Sequence, residues 1–188
     1  MLQNRTTDIP EMVIRFFGFF TILTNILVAL YFTAVIFDAA FTYKPGILTA
    51  VTSYIFMVGI VYQILLRHLW QPSGMQFVVD ELLHTINPLL VIIYWYLYER
   101  KREIKYARVK PWLIYPLGYM ACVLIRGGLS RFYPYPFIDV SKIGLTRALI
   151  NSGLLTLAFV TIACLFIFVG RKIDKREVPT SSRINHSS

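Results

Sequence analysis

Asp80, His84 and Asn87 are spaced i, i+4, i+7, so a helix lines them along one face, with Glu81, Thr85 and Pro88 in an adjoining stripe. An earlier segment offers a second such face: Gly18, Thr21 and Asn25 share one side of a helix, and Thr24 lies beside it. A hydroxyl nucleophile requires a base within hydrogen-bond reach and a third group that sets the tautomer of that base. Thr21 or Thr24, His84 and Asp80 supply those types, while Asn25, Asn87 and Arg126 are the side chains available to stabilise an oxyanion. One helix-interior histidine with two carboxylates is a poor zinc or iron set, and phosphate loops, G-x-G-x-x-G and C-x-x-C motifs are absent, so no metal or other cofactor is expected.

These residues sit in an unusually apolar chain. Of 188 residues 56% are hydrophobic and 15% charged, and the mean hydropathy of +0.59 exceeds what a soluble domain of this size carries. A membrane helix takes roughly 20 apolar residues, and five stretches approach that length: 12–37, 46–66, 77–98, 112–130 and 147–169. The expectation is an all-α, polytopic transmembrane bundle of about five spans in a single domain, with polar tails at 1–11 and 174–188. The first stretch is too long for a signal-peptide core of about 7–15 apolar residues and should remain as a helix. Cys122 and Cys164 fall within helices and read as buried thiols.

The formal charge of +9 reads as topology rather than nucleic-acid binding. Arg100, Lys101, Arg102, Lys105, Arg108 and Lys110 follow the third span, and Arg171, Lys172, Lys175, Arg176 and Arg183 follow the fifth. Five spans put both clusters and Lys44 on one side, which the positive-inside rule makes cytoplasmic. The N-terminus is then outside, the C-terminus is cytoplasmic, and the protein is expected in the cell membrane as a multi-pass chain. Short turns at Lys44-Pro45-Gly46 and Gln71-Pro72-Ser73-Gly74 make neighbours antiparallel. The aromatic and proline-rich segment 130–139 reads as a rigid cap over the outer end.

At 1.5 Å per residue, Thr21 lies roughly 13 Å and His84 roughly 10 Å below the outer ends of their spans. Arg126 and Asn151 reach the same outer half, whereas mid-helix polar groups are sparse in the other half, where we place Gln63 and Ser53. Each residue alone has a plainer role. Thr and Asn bond backbone carbonyls or neighbouring helices in membranes, His84 and Asp80 can pair to hold helices together, and Arg126 can snorkel or neutralise Asp80 or Glu81. Convergence on one depth is what favours a site.

The segments Phe19-Phe20-Thr21-Ile22-Leu23-Thr24-Asn25, Asp80 to Pro88 and Tyr133-Pro134-Tyr135-Pro136-Phe137 together resemble the androgen-induced family of membrane proteins, especially its bacterial branch, over about residues 12–170. The resemblance implies hydrolysis of fatty acid esters of hydroxy fatty acids by an intramembrane threonine and a histidine. The family's histidine stands in a His-Thr-x-x-x-Pro pattern, which His84-Thr85-Ile86-Asn87-Pro88 resembles with two residues rather than three before the proline. Its threonine stands three residues before an asparagine, a position that is Ile22 here. Thr21 keeps the family's upstream aromatic residue and is the preferred nucleophile, with Thr24 the alternative. Family members usually have six spans, and this chain shows five.

Three functions follow. A lipid ester hydrolase, with a membrane lipid or fatty acyl substrate, requires an apolar tunnel beside His84. A transporter or small-molecule-binding protein would use Asp80, Glu81, His84 and Arg126 as a relay. A non-catalytic scaffold would keep its polar residues in a closed cavity.

Overall fold

A computed structural model describes residues 8–176. The outer parts of both expected tails, including Arg183 of the second basic cluster, lie outside the described residues. Within them the fold is all-helical: α1 (Ile9–Phe17), α2 (Phe20–Ile36), α3 (Ile47–Leu66), α4 (Met75–Tyr98), α5 (Tyr106–Ser130) and α6 (Leu145–Arg176). Helices α3 to α6 are each long and apolar enough to cross a membrane, and the bent pair α1 and α2 makes a fifth if it counts as one span.

The apolar run expected to form one helix over 12–37 is two helices meeting at 71°. Phe19 is extended, with φ −83° and ψ 128°, so the helical ladder stops there. The Gly18 carbonyl, left at the break, accepts a hydrogen bond from the Tyr119 hydroxyl at 2.9 Å. As a result Thr21 stands in the first turn of α2, not two turns inside a longer helix, and the depth inferred for it from a straight helix does not apply. Helix α1 has no buried residue. Its Glu11 holds Arg15 at 2.9 Å on its own helix and Arg126 of α5 at 2.9 and 3.0 Å.

Helix α3 is the hub, with 67% of its apolar window buried against 17%, 11% and 22% for α4, α5 and α6. One core cluster joins Val28 of α2, Ile55 and Val58 of α3 and Val91 of α4. Another packs Tyr54 of α3 flat on Phe159 of α6, 5.3 Å between ring centres, beside Trp112 of α5. The outward faces of α4, α5 and α6 carry exposed Leu and Ile side chains such as Leu89, Ile93, Ile125, Leu154 and Leu157. A surface of that kind suits hydrocarbon rather than water. Cys122 is on such a face, exposed rather than buried as expected, and Cys164 is half-buried.

Helices α3 and α4 both contain widened π turns, at Tyr62–Leu66 and Leu82–Ile86. In α4 the turn lies directly before Asn87-Pro88. Proline has no N–H and its ring crowds the carbonyl four residues back, here that of His84. Gly59 of α3 packs against that carbonyl, where an added Cβ would lie 3.1 Å from the oxygen. Close approach at Gly59 thus brings the two widened turns face to face.

The segment after α5 folds back onto the bundle. Arg131 takes the left-handed conformation (φ 54°) and turns the chain back. Tyr133 then lies directly on Gly127, where any Cβ would fall 2.1 Å from its ring. Tyr135 points into the core stacked on Phe137 at 5.2 Å. Asn151 of α6 secures the segment by donating to the Phe137 carbonyl at 2.7 Å.

Candidate active site

The facing π turns of α3 and α4 assemble the polar centre. Tyr62 of α3 stacks on the His84 ring, 3.9 Å between centres and 14° from parallel, and its hydroxyl donates to the Asp80 carboxylate. His84 Nδ1 lies 2.9 Å from the Asp80 carbonyl oxygen and 3.3 Å from the Asp80 carboxylate. Both oxygens only accept, so Nδ1 carries the proton and Nε2 presents its lone pair. That lone pair faces Thr21: Nε2 and Oγ1 are 3.3 Å apart. The distance is loose for a hydrogen bond but within the range of a hydroxyl and its base before substrate binds. Asp80 and His84 side chains are only 10% and 12% exposed, so they meet in a medium where a wrong tautomer would strand a buried donor.

The break at Phe19 adds a second feature. First-turn N–H groups of a helix have no intrahelical acceptor and carry the positive end of its dipole. Here that first turn carries Thr21, which is itself buried. The Tyr135 hydroxyl receives the Thr21 N–H at 3.4 Å. Next to it a narrow apolar recess of about 70 Å³ is lined by Phe20, Thr21, Met57, Met120, Phe137 and Leu155. It adjoins the threonine rather than the histidine, on the side away from Asp80.

The remaining candidates separate by position. Thr24 is fully buried and pairs with the Tyr115 hydroxyl at 3.0 Å instead of with His84. Asn25 and Asn87 adjoin the centre but spend their amides on structure. Asn25 Nδ2 donates to the Thr21 and Leu83 carbonyls at 2.8 and 3.4 Å, and Asn87 Nδ2 donates to Asn25 Oδ1 at 2.6 Å. They therefore clamp α2 to α4 behind Thr21. Arg126 is bound to Glu11 and pairs with neither Asp80 nor Glu81. It is not an oxyanion donor to Thr21 in this arrangement. Glu81 is neutralised by Arg67 at 2.6 Å, and Thr85 and Gln63 complete that network. Gln63 is therefore at the same end as His84, not in the opposite half. Among the described residues no group of three His, Cys, Asp or Glu side chains is placed to hold a metal ion.

Tyr62, Tyr135 and Arg67 belong to this region and were not singled out by spacing. No family model matches the chain, and no curated protein or solved structure shows significant similarity to it.

Proposed function

We propose that the chain is a membrane-embedded ester hydrolase, as its resemblance to the androgen-induced family implies, with Thr21 as nucleophile and His84 as general base. The observation that carries this reading is the line from Asp80 through His84 Nδ1 and Nε2 to Thr21 Oγ1. His84 Nε2 takes the hydroxyl proton as Oγ1 bonds to the ester carbonyl carbon. The oxyanion forms against the first turn of α2 and the Tyr135 hydroxyl. The carbon–oxygen bond to the alcohol breaks, and the proton on His84 passes to the departing alkoxide. Water then adds to the acyl-threonine by the same proton route, releasing the fatty acid and restoring Thr21. Asp80 and Tyr62 hold the imidazole and stabilise its charged form.

The apolar recess beside Thr21 suits an acyl chain, and the substrate class is a fatty acid ester of a hydroxy fatty acid. With α1 and α2 counted as one span and the basic segments after α4 and α6 in the cytoplasm, the positive-inside rule favours the outer side of a cell membrane for the Thr21 end. An ion relay through Asp80, Glu81, His84 and Arg126 fits less well, because Glu81 and Arg126 are taken by Arg67 and Glu11.

The test is release of fatty acid from such an ester by the purified protein in detergent. Thr21→Ala and His84→Ala should each lower the rate by at least about 10³-fold, while Thr24→Ala retains most of it. Full activity in Thr21→Ala would remove the nucleophile and the proposal with it.

A further inference from the structure

At the other end of the bundle, 15 residues and roughly 22 Å along α4 from His84, a second cavity of about 140 Å³, open to the surface, lies between α2, α3 and α4. Four of its lining side chains are tyrosines, Tyr31, Tyr43, Tyr94 and Tyr98, and the others that matter are Glu99 and Arg100. Glu99 is 8% exposed. Its Oε2 accepts from the Thr49 N–H and hydroxyl, both at 2.8 Å, while Oε1 takes only the Gly46 N–H at 3.3 Å. Oε1 therefore keeps acceptor capacity. Trp95 fixes this arrangement by donating to the Thr49 hydroxyl at 2.8 Å. Tyr31 is 5% exposed as a residue and lines the cavity, and its hydroxyl bonds no other described residue; the oxygen is accessible rather than sealed in the core. Tyr94 is half-buried and Tyr98 exposed, and neither hydroxyl bonds another described residue. Arg100, exposed, lines the cavity and donates one Nη2 bond to the Tyr43 carbonyl at 2.6 Å.

A buried carboxylate, phenol oxygens and aromatic rings form a set that prefers a cation carrying N–H donors. The arginine at the mouth prefers a phosphate next to it. We propose that this cavity binds an alkylammonium joined to a phosphate, the chemistry of a phosphoethanolamine headgroup, with the ammonium on Glu99 and the tyrosine hydroxyls and the phosphate on Arg100. The cavity is at the end of the spans, where headgroups lie when the helices are in a bilayer. It is separate from Thr21 and does not depend on hydrolase activity.

Native mass spectrometry of the delipidated protein, offered dioleoyl phosphatidylethanolamine or dioleoyl phosphatidylglycerol, tests the site. Retention of the ethanolamine lipid should exceed that of the glycerol lipid by about fivefold or more. The preference should vanish in a Tyr31→Phe, Tyr94→Phe double variant, which removes two hydroxyls and keeps both rings. Glu99→Gln should also abolish it, but that change touches the start of α3, so the tyrosine variant decides. Competition by free phosphoethanolamine supports recognition of the headgroup by itself. Failure to compete, with the preference intact, supports a membrane lipid as the source. Equal retention of the two lipids, or a preference unchanged in the double tyrosine variant, overturns the proposal.

Discussion

Thr21 and Thr24 are less than one helical turn apart, yet one hydroxyl faces His84 and the other the phenol of Tyr115. Helix periodicity turns Thr24 only about 60° from Thr21 and does not separate them; the shared face of Thr21 and Asn25 was readable without coordinates, whereas Gly18 lies before the break, outside α2. The role of Tyr135 was not readable, because a segment with two prolines has no period from which to infer where a side chain points. With the tyrosine hydroxyl 3.4 Å from the Thr21 N–H, Tyr135→Phe should lower ester hydrolysis by about 10²-fold. The drop should fall on kcat, with KM little changed, since the aromatic ring and its stack on Phe137 remain. A drop in KM-dependent binding alone would assign Tyr135 to packing. Arg126 was misplaced for a related reason: its partner Glu11 lies on α1, and a pairing across 115 residues leaves no mark in local spacing.

At the scale of elements, hydropathy identified the long spans but missed the break at Phe19. The residues on both sides, Phe16, Phe17, Phe20 and Ile22, are apolar, so the profile runs on while the backbone turns by 71°. The π turns were equally hidden, although Pro88 marks where α4 cannot keep a regular ladder. Two elements then carry predictions. Gly127→Ala sets a Cβ against the Tyr133 ring and should displace the segment that delivers Tyr135, costing about 1–3 kcal/mol of stability. Thermal unfolding in detergent measures the cost, and unchanged stability together with unchanged activity would show that the segment is not held by this contact. Asp139 caps the one-turn helix Val140–Ile143, and the Ser141 side chain, followed by Lys142, holds its carboxyl below its ordinary value of 3.8. A lowered folded value means that Asp139 stabilises the protein above that ordinary value and loses this contribution as pH falls through the depressed one. The melting temperature of the wild type should therefore fall further on acidification than that of Asp139→Asn.

For the whole molecule, composition and charge outlined the architecture of several apolar helices, while the packing order was beyond them. Nothing in the residues 46–66 marks α3 as the hub, since its hydropathy resembles that of its neighbours and only its burial differs. Nor does local spacing mark Glu99, whose role at the head of α3 depends on a partner 50 residues away. Five spans require the two chain ends to lie on opposite sides of the membrane. A fluorescent reporter fused at the C-terminus should be active in the cytoplasm, and an exported phosphatase fused there should be silent; the reverse pattern would invert the orientation and place the Thr21 end inside.

The most direct measurement is covalent labelling of the purified protein with a fluorophosphonate, mapped by peptide mass and compared with Thr21→Ala, Thr24→Ala and His84→Ala. A Thr21–His84 dyad requires modification of Thr21, its loss in Thr21→Ala and His84→Ala, and its persistence in Thr24→Ala. Folded wild-type protein that takes no label, or a label that stays in Thr21→Ala and maps elsewhere, contradicts the dyad.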